Sequence, residues 1–292
     1  MGERSGRAFA QHHDHFFMEH DGRWMVVDAA ANVETPTQQM LAPVDTPRSR
    51  RRHRLLDRVL RAEPRAAFAL SEQKYLVSSR EGVRCVDMST CNAPVEWTEP
   101  GRHPLDFAAC VGVPGFDDAV VFGEYGGNAD KRPMSVWSRS DDDTYRRVHT
   151  FVDGAINHIH ALVPDVQGEC VWVLTGDYGS AAAIWRATDN FKSVEVIAEG
   201  TQNVRACRVF PVDGGLLYAT DTHLAPNSIR FLRKGENGSW TSDQLLPIKG
   251  SCIYAAQVGR QFVFTTSVEP GRPTGHKLLD LVDPRRGPGI AS

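Results

Sequence analysis

Residues 155–177, AINHIHALVPDVQGECVWVLTGD, read as two antiparallel strands, and that reading decides the fold. One strand opens at His158 and His160, a turn spans Pro164 to Gly168, and the return strand climbs through Val171, Trp172, Val173 and Leu174 to Gly176 and Asp177. The second strand of such a hairpin ends beside the start of the first. Both histidines and Asp177 are therefore expected at one end.

Outward from this stretch the same unit recurs. Continued by Ala183–Arg186 and Val194–Ile197, it makes four short strands. Before it come Ala66–Leu70, Tyr75–Arg80, Val83–Asp87 and Val95–Trp97, then Leu105–Val113, Val120–Tyr125, Ser135–Trp137 and Tyr145–Phe151. After it come Val204–Val212, Leu216–Asp221, Ser228–Phe231 and Trp240–Leu246, and a last pair, Cys252–Val258 and Phe262–Thr266. Units of about 35 to 50 residues, each worth four strands, are the pattern of propeller blades. The class expected is all-β, a β-propeller; the competing reading is an open sandwich. Phe16–Val27, a hairpin around Asp21-Gly22, is expected to complete the blade begun at Cys252, which makes five blades. The count is six if that hairpin and the C-terminal tail form a blade of their own.

One structural domain is expected, with ragged ends. Residues 1–63 form an N-terminal extension: the hairpin, a proline-bearing loop over 29–47 and one short amphipathic helix over 49–62, ending before Pro64. Residues 64–270 carry the blades and 271–292 an irregular tail. The net charge of -3 over 292 residues gives no global reason to expect nucleic acid or an acidic membrane as partner, and the basic run Arg48–Arg54 is local. The N-terminus has no apolar core of signal-peptide length and no stretch approaches the ~20 apolar residues of a membrane span, so the expected location is cytoplasmic. The six cysteines (Cys85, Cys91, Cys110, Cys170, Cys207, Cys252) lie in strand-like segments without a CxxC, which signals neither a zinc knuckle nor a disulfide framework. The oligomeric state is not legible.

Two turns carry a family resemblance. Residues 136–145 (VWSRSDDDTY) and 184–191 (IWRATDNF) resemble degenerate Asp boxes of the sialidase-like (BNR-repeat) propellers, whose fuller pattern is Ser-x-Asp-x-Gly-x-Thr-Trp. Here the boxes lack their glycine. The strings FGEYGGN, INHIHALVPD, WVLTGD, AAIW and LLYATDT also resemble bacterial sialidase-like propellers, over roughly 105–269. The resemblance implies the propeller fold, with the box as a hairpin turn whose Asp and Ser side chains satisfy turn amides and whose aromatic residue anchors it. It implies no catalytic residue, since no arginine triad can be assigned by motif.

Overlaying the hairpins places Arg80, Glu124, Asp177, Asp221 and Glu269 at or just beyond second-strand ends, and His158, His160, Arg205 and Asp106 near first-strand starts. His103, Tyr125, Asn128, His223 and Tyr254 fall close by. His158, His160, Glu124 and Asp177 offer imidazoles and carboxylates for zinc, manganese or iron; a carboxylate-only subset would suit calcium. Without metal, His158 or His160 would serve as base and Glu124 or Asp177 as acid. Arg205 would anchor an anionic group, with Arg80, Tyr125, Asn128, Asp221, Tyr254 and Glu269 as further substrate contacts. No GxSxG nucleophile motif occurs; Ser251-Cys252 offers a thiol without a surrounding motif. No glycine-rich phosphate loop opens a helix, so no nucleotide cofactor is expected. The expectation is an enzyme acting on a polar, sugar-like or anionic small molecule by hydrolysis, elimination or cyclisation. Its rival is a non-catalytic propeller that binds a glycan or a protein.

Overall fold

The computed structural model describes the backbone of residues 7–12, 15–20, 23–28 and 39–40, and residues 66–267 apart from 80, 88, 91, 153 and 178. The strands are Arg7–His12 (β1), His15–His20 (β2), Arg23–Asp28 (β3) and Gln39–Met40 (β4), then Ala66–Ala69 (β5), Lys74–Ser79 (β6), Gly82–Asp87 (β7) and Val95–Trp97 (β8). Ala108–Ala109 (β9), Val120–Gly123 (β10), Met134–Arg139 (β11) and Tyr145–Phe151 (β12) follow, then His158–Asp165 (β13), Cys170–Gly176 (β14), Ala183–Thr188 (β15) and Ser193–Glu199 (β16). Ala206–Val212 (β17), Gly215–Thr220 (β18), Asn227–Lys234 (β19), Trp240–Ile248 (β20), Cys252–Val258 (β21) and Gln261–Thr266 (β22) complete the chain. Each consecutive set of four, from β1–β4 to β17–β20, is an antiparallel sheet with neighbours in chain order, and β21–β22 form a two-stranded one. The expected all-β class of four-stranded repeats is what folds. The helical turns among the described residues are two short 3-10 turns, Gly179–Ala181 and Gln202–Val204.

Two differences from the sequence reading concern the ends. The hairpin over Phe16–Val27 does not pair with β21: it is the centre of its own sheet, with β1 on one side and β4 on the other. Strand β1 pairs along β2, and β4 pairs with β3 at Met25 and Val26. The helix expected over 49–62, Cys91, Arg80, Glu269 and the tail 271–292 lie outside the described residues. Among those described, no helix is long and apolar enough to cross a membrane.

The chain divides into two compact units, the first holding the sheets β1 to β12 and the second those from β13 onward. In the first, Leu76, Val83, Trp97, Phe107 and Phe122 form a core between the sheets β5–β8 and β9–β12. In the second, Trp172, Leu174, Ile184, Leu216, Tyr218 and Leu232 do the same between β13–β16 and β17–β20. Each such side chain, removed from water, contributes roughly 1.5–3 kcal/mol. Alternation along the strands delivers these residues to one face and lets the outer strands stay polar.

The two turns that resemble Asp boxes behave as turns. In the first, Ser140 Oγ donates to Asp142 Oδ1 at 2.6 Å, and the same oxygen accepts from Thr144 N at 3.2 Å. In the second, Asp189, Asn190 and Phe191 all take positive φ, and Phe191 is buried edge-to-face against Phe116 at 5.2 Å. The β13–β14 turn is later than the sequence suggested, because β13 continues through Pro164 to Asp165. Asp165 fastens that turn: its carboxylate accepts from Gly168 N at 2.8 Å and from the Trp172 indole at 3.0 Å.

Candidate functional site

His158 opens β13 and pairs across the sheet with Gly176, the last residue of β14, so Asp177 emerges beside it as expected. The register between β13 and β14 slips between Ile159 and Ala161, which makes His160 the extra residue of a β-bulge. A bulge re-aims the side chain it inserts. Here it lays the His160 ring over Gly176, where a Cβ would sit 2.3 Å from Cε1 and 2.6 Å from Nε2. Glycine at 176 is therefore a requirement of the ring above it. Register slips recur near the starts of β17 and β21, so the device belongs to the repeat and the residues on it differ.

The two imidazoles converge. Their Nε2 atoms are 3.0 Å apart, and Asp177 Oδ1 lies 3.2 Å from that of His158 and 4.0 Å from that of His160. Neighbours assign the protons. The Ala206 carbonyl, 2.9 Å from His160 Nδ1, can only accept, so Nδ1 carries hydrogen and Nε2 presents a lone pair. The Asn157 amide donates to the Asp177 carboxylate, which turns its NH₂ toward His158 Nδ1 at 3.4 Å. His158 thus holds its proton on Nε2, between His160 and Asp177. Burial, then the neighbouring His158, lowers the His160 pKa to about 4, so the ring is neutral near pH 7. Burial by itself would raise the Asp177 carboxyl; the His158 hydrogen bond and charge, Asn157 and Arg205 outweigh it and hold the group well below the usual carboxylate range.

Arg205 follows the 3-10 turn Gln202–Val204 and sends Nη2 to both carboxylates, 3.2 Å from Asp177 Oδ1 and 3.5 Å from Asp221 Oδ2. Its Nε and Nη1 are buried without an acceptor among the described residues. Each such donor costs about 1–3 kcal/mol. Asp221 also accepts from the Cys207 thiol at 3.3 Å, and burial followed by that carboxylate pushes the Cys207 pKa well up. Cys207 is a neutral donor, not a thiolate. Gln202 links the strand ends, donating to the Asp177 carbonyl at 2.8 Å and accepting from Thr222 Oγ1 at 2.6 Å.

His158, His160, Asp177, Arg205 and Asp221 are thus brought together. Other sequence candidates take different places. Glu124 does follow the second strand of its sheet, in the first unit, and accepts from the Trp137 indole at 2.8 Å. Asn128 is engaged in its own loop, with Oδ1 accepting from Arg102 Nη2 at 3.1 Å and Arg132 N at 2.9 Å. Tyr125 bridges His103 through the backbone. Asp106 caps Phe107 N at 2.8 Å. Tyr254 does not join the cluster: the slip in β21 falls between Cys252 and Tyr254, and the tyrosine is 69% exposed. Cys252 is buried, its pKa pushed up to about 11 mainly by that burial, which removes the thiol nucleophile weighed from the sequence. Sequence reading missed Asn157, Gln202 and Cys207 as members of the site. Only their places near His158 and Arg205 signalled them.

The shifts set the acid behaviour of the metal-free protein. His160 takes up its proton near pH 6.5 when unfolded but only near 4 when folded, so the unfolded state binds more protons in between. Stability is full above about 6.5 and falls as pH drops toward 4. Asp177, depressed in the fold, adds a further loss below the ordinary carboxylate pKa. After chelator treatment, melting curves from pH 7.5 to 4 are expected to show this decline, flattened in His160→Gln; equal slopes in both proteins would contradict it.

No protein-family model matches the chain, and no curated protein matches it. Among solved structures it is similar to the extracellular domain of a protein designated a hybrid two-component system from B. thetaiotaomicron, with 12% identity and a TM-score of 0.50 over 82% of this chain and 28% of that one. It is also similar to a calcium-binding protein, regucalcin, from Agrobacterium tumefaciens, at 12% identity and a TM-score of 0.49 over 84% of this chain and 75% of that one. TolB from Acinetobacter baumannii matches at 14% identity and a TM-score of 0.44, over 83% and 56% of the two chains. The chain spans about 28% of the length of the first of these. Likeness at this identity concerns the fold alone. It does not single out the Asp-box family.

Proposed function

We propose that the chain is a propeller enzyme that binds a divalent transition-metal ion through His158, His160 and Asp177 and hydrolyses a polar small molecule there. One observation carries the reading: two imidazole Nε2 atoms and a carboxylate oxygen converge at 3.0, 3.2 and 4.0 Å. Ligands about 2.0–2.2 Å from one zinc ion lie roughly 3 to 3.5 Å from one another, so a small adjustment of the His160–Asp177 pair completes the set. His160 already has the outer partner that ligating histidines use, its Nδ1–H on the Ala206 carbonyl. Two nitrogen donors favour zinc, manganese or iron over calcium. The carboxylate-only subset is spoken for, because the Arg205 guanidinium lies between Asp177 and Asp221.

Such an ion supplies Lewis acidity and a water made acidic near neutral pH. The residues of the chain do the rest. Neutral His160 would offer its Nε2 lone pair, Asp177 its ionised carboxylate, and His158 its Nε2 in the tautomer that carries the proton on Nδ1. Arg205 holds the Asp177 carboxylate in place from the other side. The rival, a recognition surface without catalysis, needs none of this convergence.

Elemental analysis of untagged protein tests the reading on wild type and on the His158→Ala/His160→Ala double variant. About one equivalent of zinc, manganese or iron in the first and none in the second is expected. Metal absent from wild type even after incubation with zinc sinks the assignment and leaves the binding module.

A further inference from the structure

Arg205 is 9% exposed, and of its donors only Nη2 is used, shared by Asp177 and Asp221. Nε and Nη1 are buried and have no hydrogen-bond partner among the described residues. A guanidinium is always charged and offers donors in a fixed plane, a geometry that matches carboxylate and phosphate oxygens. Buried polar groups are otherwise nearly always satisfied, so these orphan donors need an acceptor. Two carboxylates, Asp177 and Asp221, face this one guanidinium at 3.2 and 3.5 Å, a local excess of acidic side chains. An anion is repelled from such a place. A divalent cation on His158, His160 and Asp177 reverses the sign.

We propose that the unused edge of Arg205 is the seat of a substrate oxyanion, a carboxylate or a phosphate, and that it fills only when the divalent cation is bound. This rests on the metal reading above and goes beyond it by naming the chemistry of the substrate. Arg205 and the cation share Asp177, so the oxyanion belongs to a part of the substrate close to the bond attacked. Coupling is reciprocal: the oxyanion raises the affinity for the cation by the factor by which the cation raises the affinity for the oxyanion.

Calorimetric titration of zinc into chelator-stripped wild type, Arg205→Gln and Arg205→Lys tests it. The titrations are run in chloride, acetate or methylphosphonate at matched ionic strength, and zinc–anion complexation is subtracted. Wild type is expected to bind zinc about tenfold more tightly in acetate or in methylphosphonate than in chloride, and the effective anion identifies the class. Arg205→Gln should still take up zinc but show no anion effect. Should that variant fail to fold by circular dichroism, Arg205→Lys decides: its single ammonium, drawn to the carboxylates, should lose most of the effect. Equal zinc affinity in all three anions in wild type overturns the oxyanion seat and leaves the metal site standing. An undiminished effect in the folded arginine variants overturns it too, by placing the anion elsewhere. Zinc bound under no condition removes both readings, and the stoichiometry tells that case apart.

Discussion

Gly176→Ala is expected to weaken the proposed metal site and cost part of the protein's stability through one methyl group. The Cβ would lie 2.3 Å from His160 Cε1 and 2.6 Å from Nε2, distances no pair of carbon or nitrogen atoms tolerates. The backbone cannot yield easily, because Gly176 is paired with His158 inside the sheet. The ring must therefore move, and it is held on its far side by the 2.9 Å bond from Nδ1 to the Ala206 carbonyl. Breaking that bond orphans a buried carbonyl and swings Nε2 out of line with His158 and Asp177. Overpacking of this kind destabilises by about 1–3 kcal/mol, and loss of a ligand's outer partner weakens metal binding by about 10- to 100-fold. A double-mutant cycle isolates the cause. With His160→Ala in the background the methyl group meets no ring, so Gly176→Ala should then cost little, and the coupling should be large and favourable. Additive costs in thermal melts would show that the glycine serves the backbone and not the histidine.

The same pair of residues shows what a sequence can and cannot reveal here. Strand alternation and Asp-Gly or Gly-rich turns marked the hairpins from Ala66 onward, because burial on one face imposes a period of two that composition alone preserves. Antiparallel pairing then fixed His158 and Asp177 at one end, and the same overlay placed Asp221 and Arg205 on the neighbouring repeat. Register was out of reach. The bulge at His160 is a one-residue slip without a sequence signature, and it, rather than the spacing of two between the histidines, sets the ring over Gly176. A slip of the same kind sends Tyr254 outward, 69% exposed, against the expectation that it would line the site. Gln202 and Asn157 were invisible for a different reason. Their roles are to hold Asp177 by its carbonyl and its carboxylate, and a polar residue in a loop looks the same whether or not it has such a partner. The N-terminal hairpin was recognised, but its place at the centre of its own sheet was not, since the strand Gln39–Met40 beside it is too short to carry a period.

Phe122→Ala should be the most damaging single truncation in the first unit. The ring is fully buried on a strand whose four residues are all buried, and it is the aromatic hub of that core. Trp97 meets it edge-on at 5.0 Å, Phe107 at 5.6 Å and Tyr145 at 6.2 Å. Two of these partners are themselves fixed. Tyr145 donates its hydroxyl to Glu96 at 2.7 Å, Glu96 also accepts from Arg139 Nε at 3.0 Å, and Trp97 packs on Trp137 at 5.5 Å. Rings tied in this way cannot collapse into the space left behind, so the cavity persists and its cost adds to the lost transfer energy. A loss of about 3–5 kcal/mol follows, near the upper end because relaxation is blocked. At about 2–4 °C per kcal/mol for a chain of this size, the melting temperature should fall by on the order of 10 °C. Phe122→Leu keeps most of the volume and should recover more than half of that loss. The proposed metal ligands all lie in the other unit, so zinc stoichiometry measured well below the transition should match wild type in both variants. A Phe122→Ala protein that melts within about 1 °C of wild type would mean that the neighbouring rings do close the gap, and that the tethers on Tyr145 and Trp97 are looser than their hydrogen bonds and contacts imply.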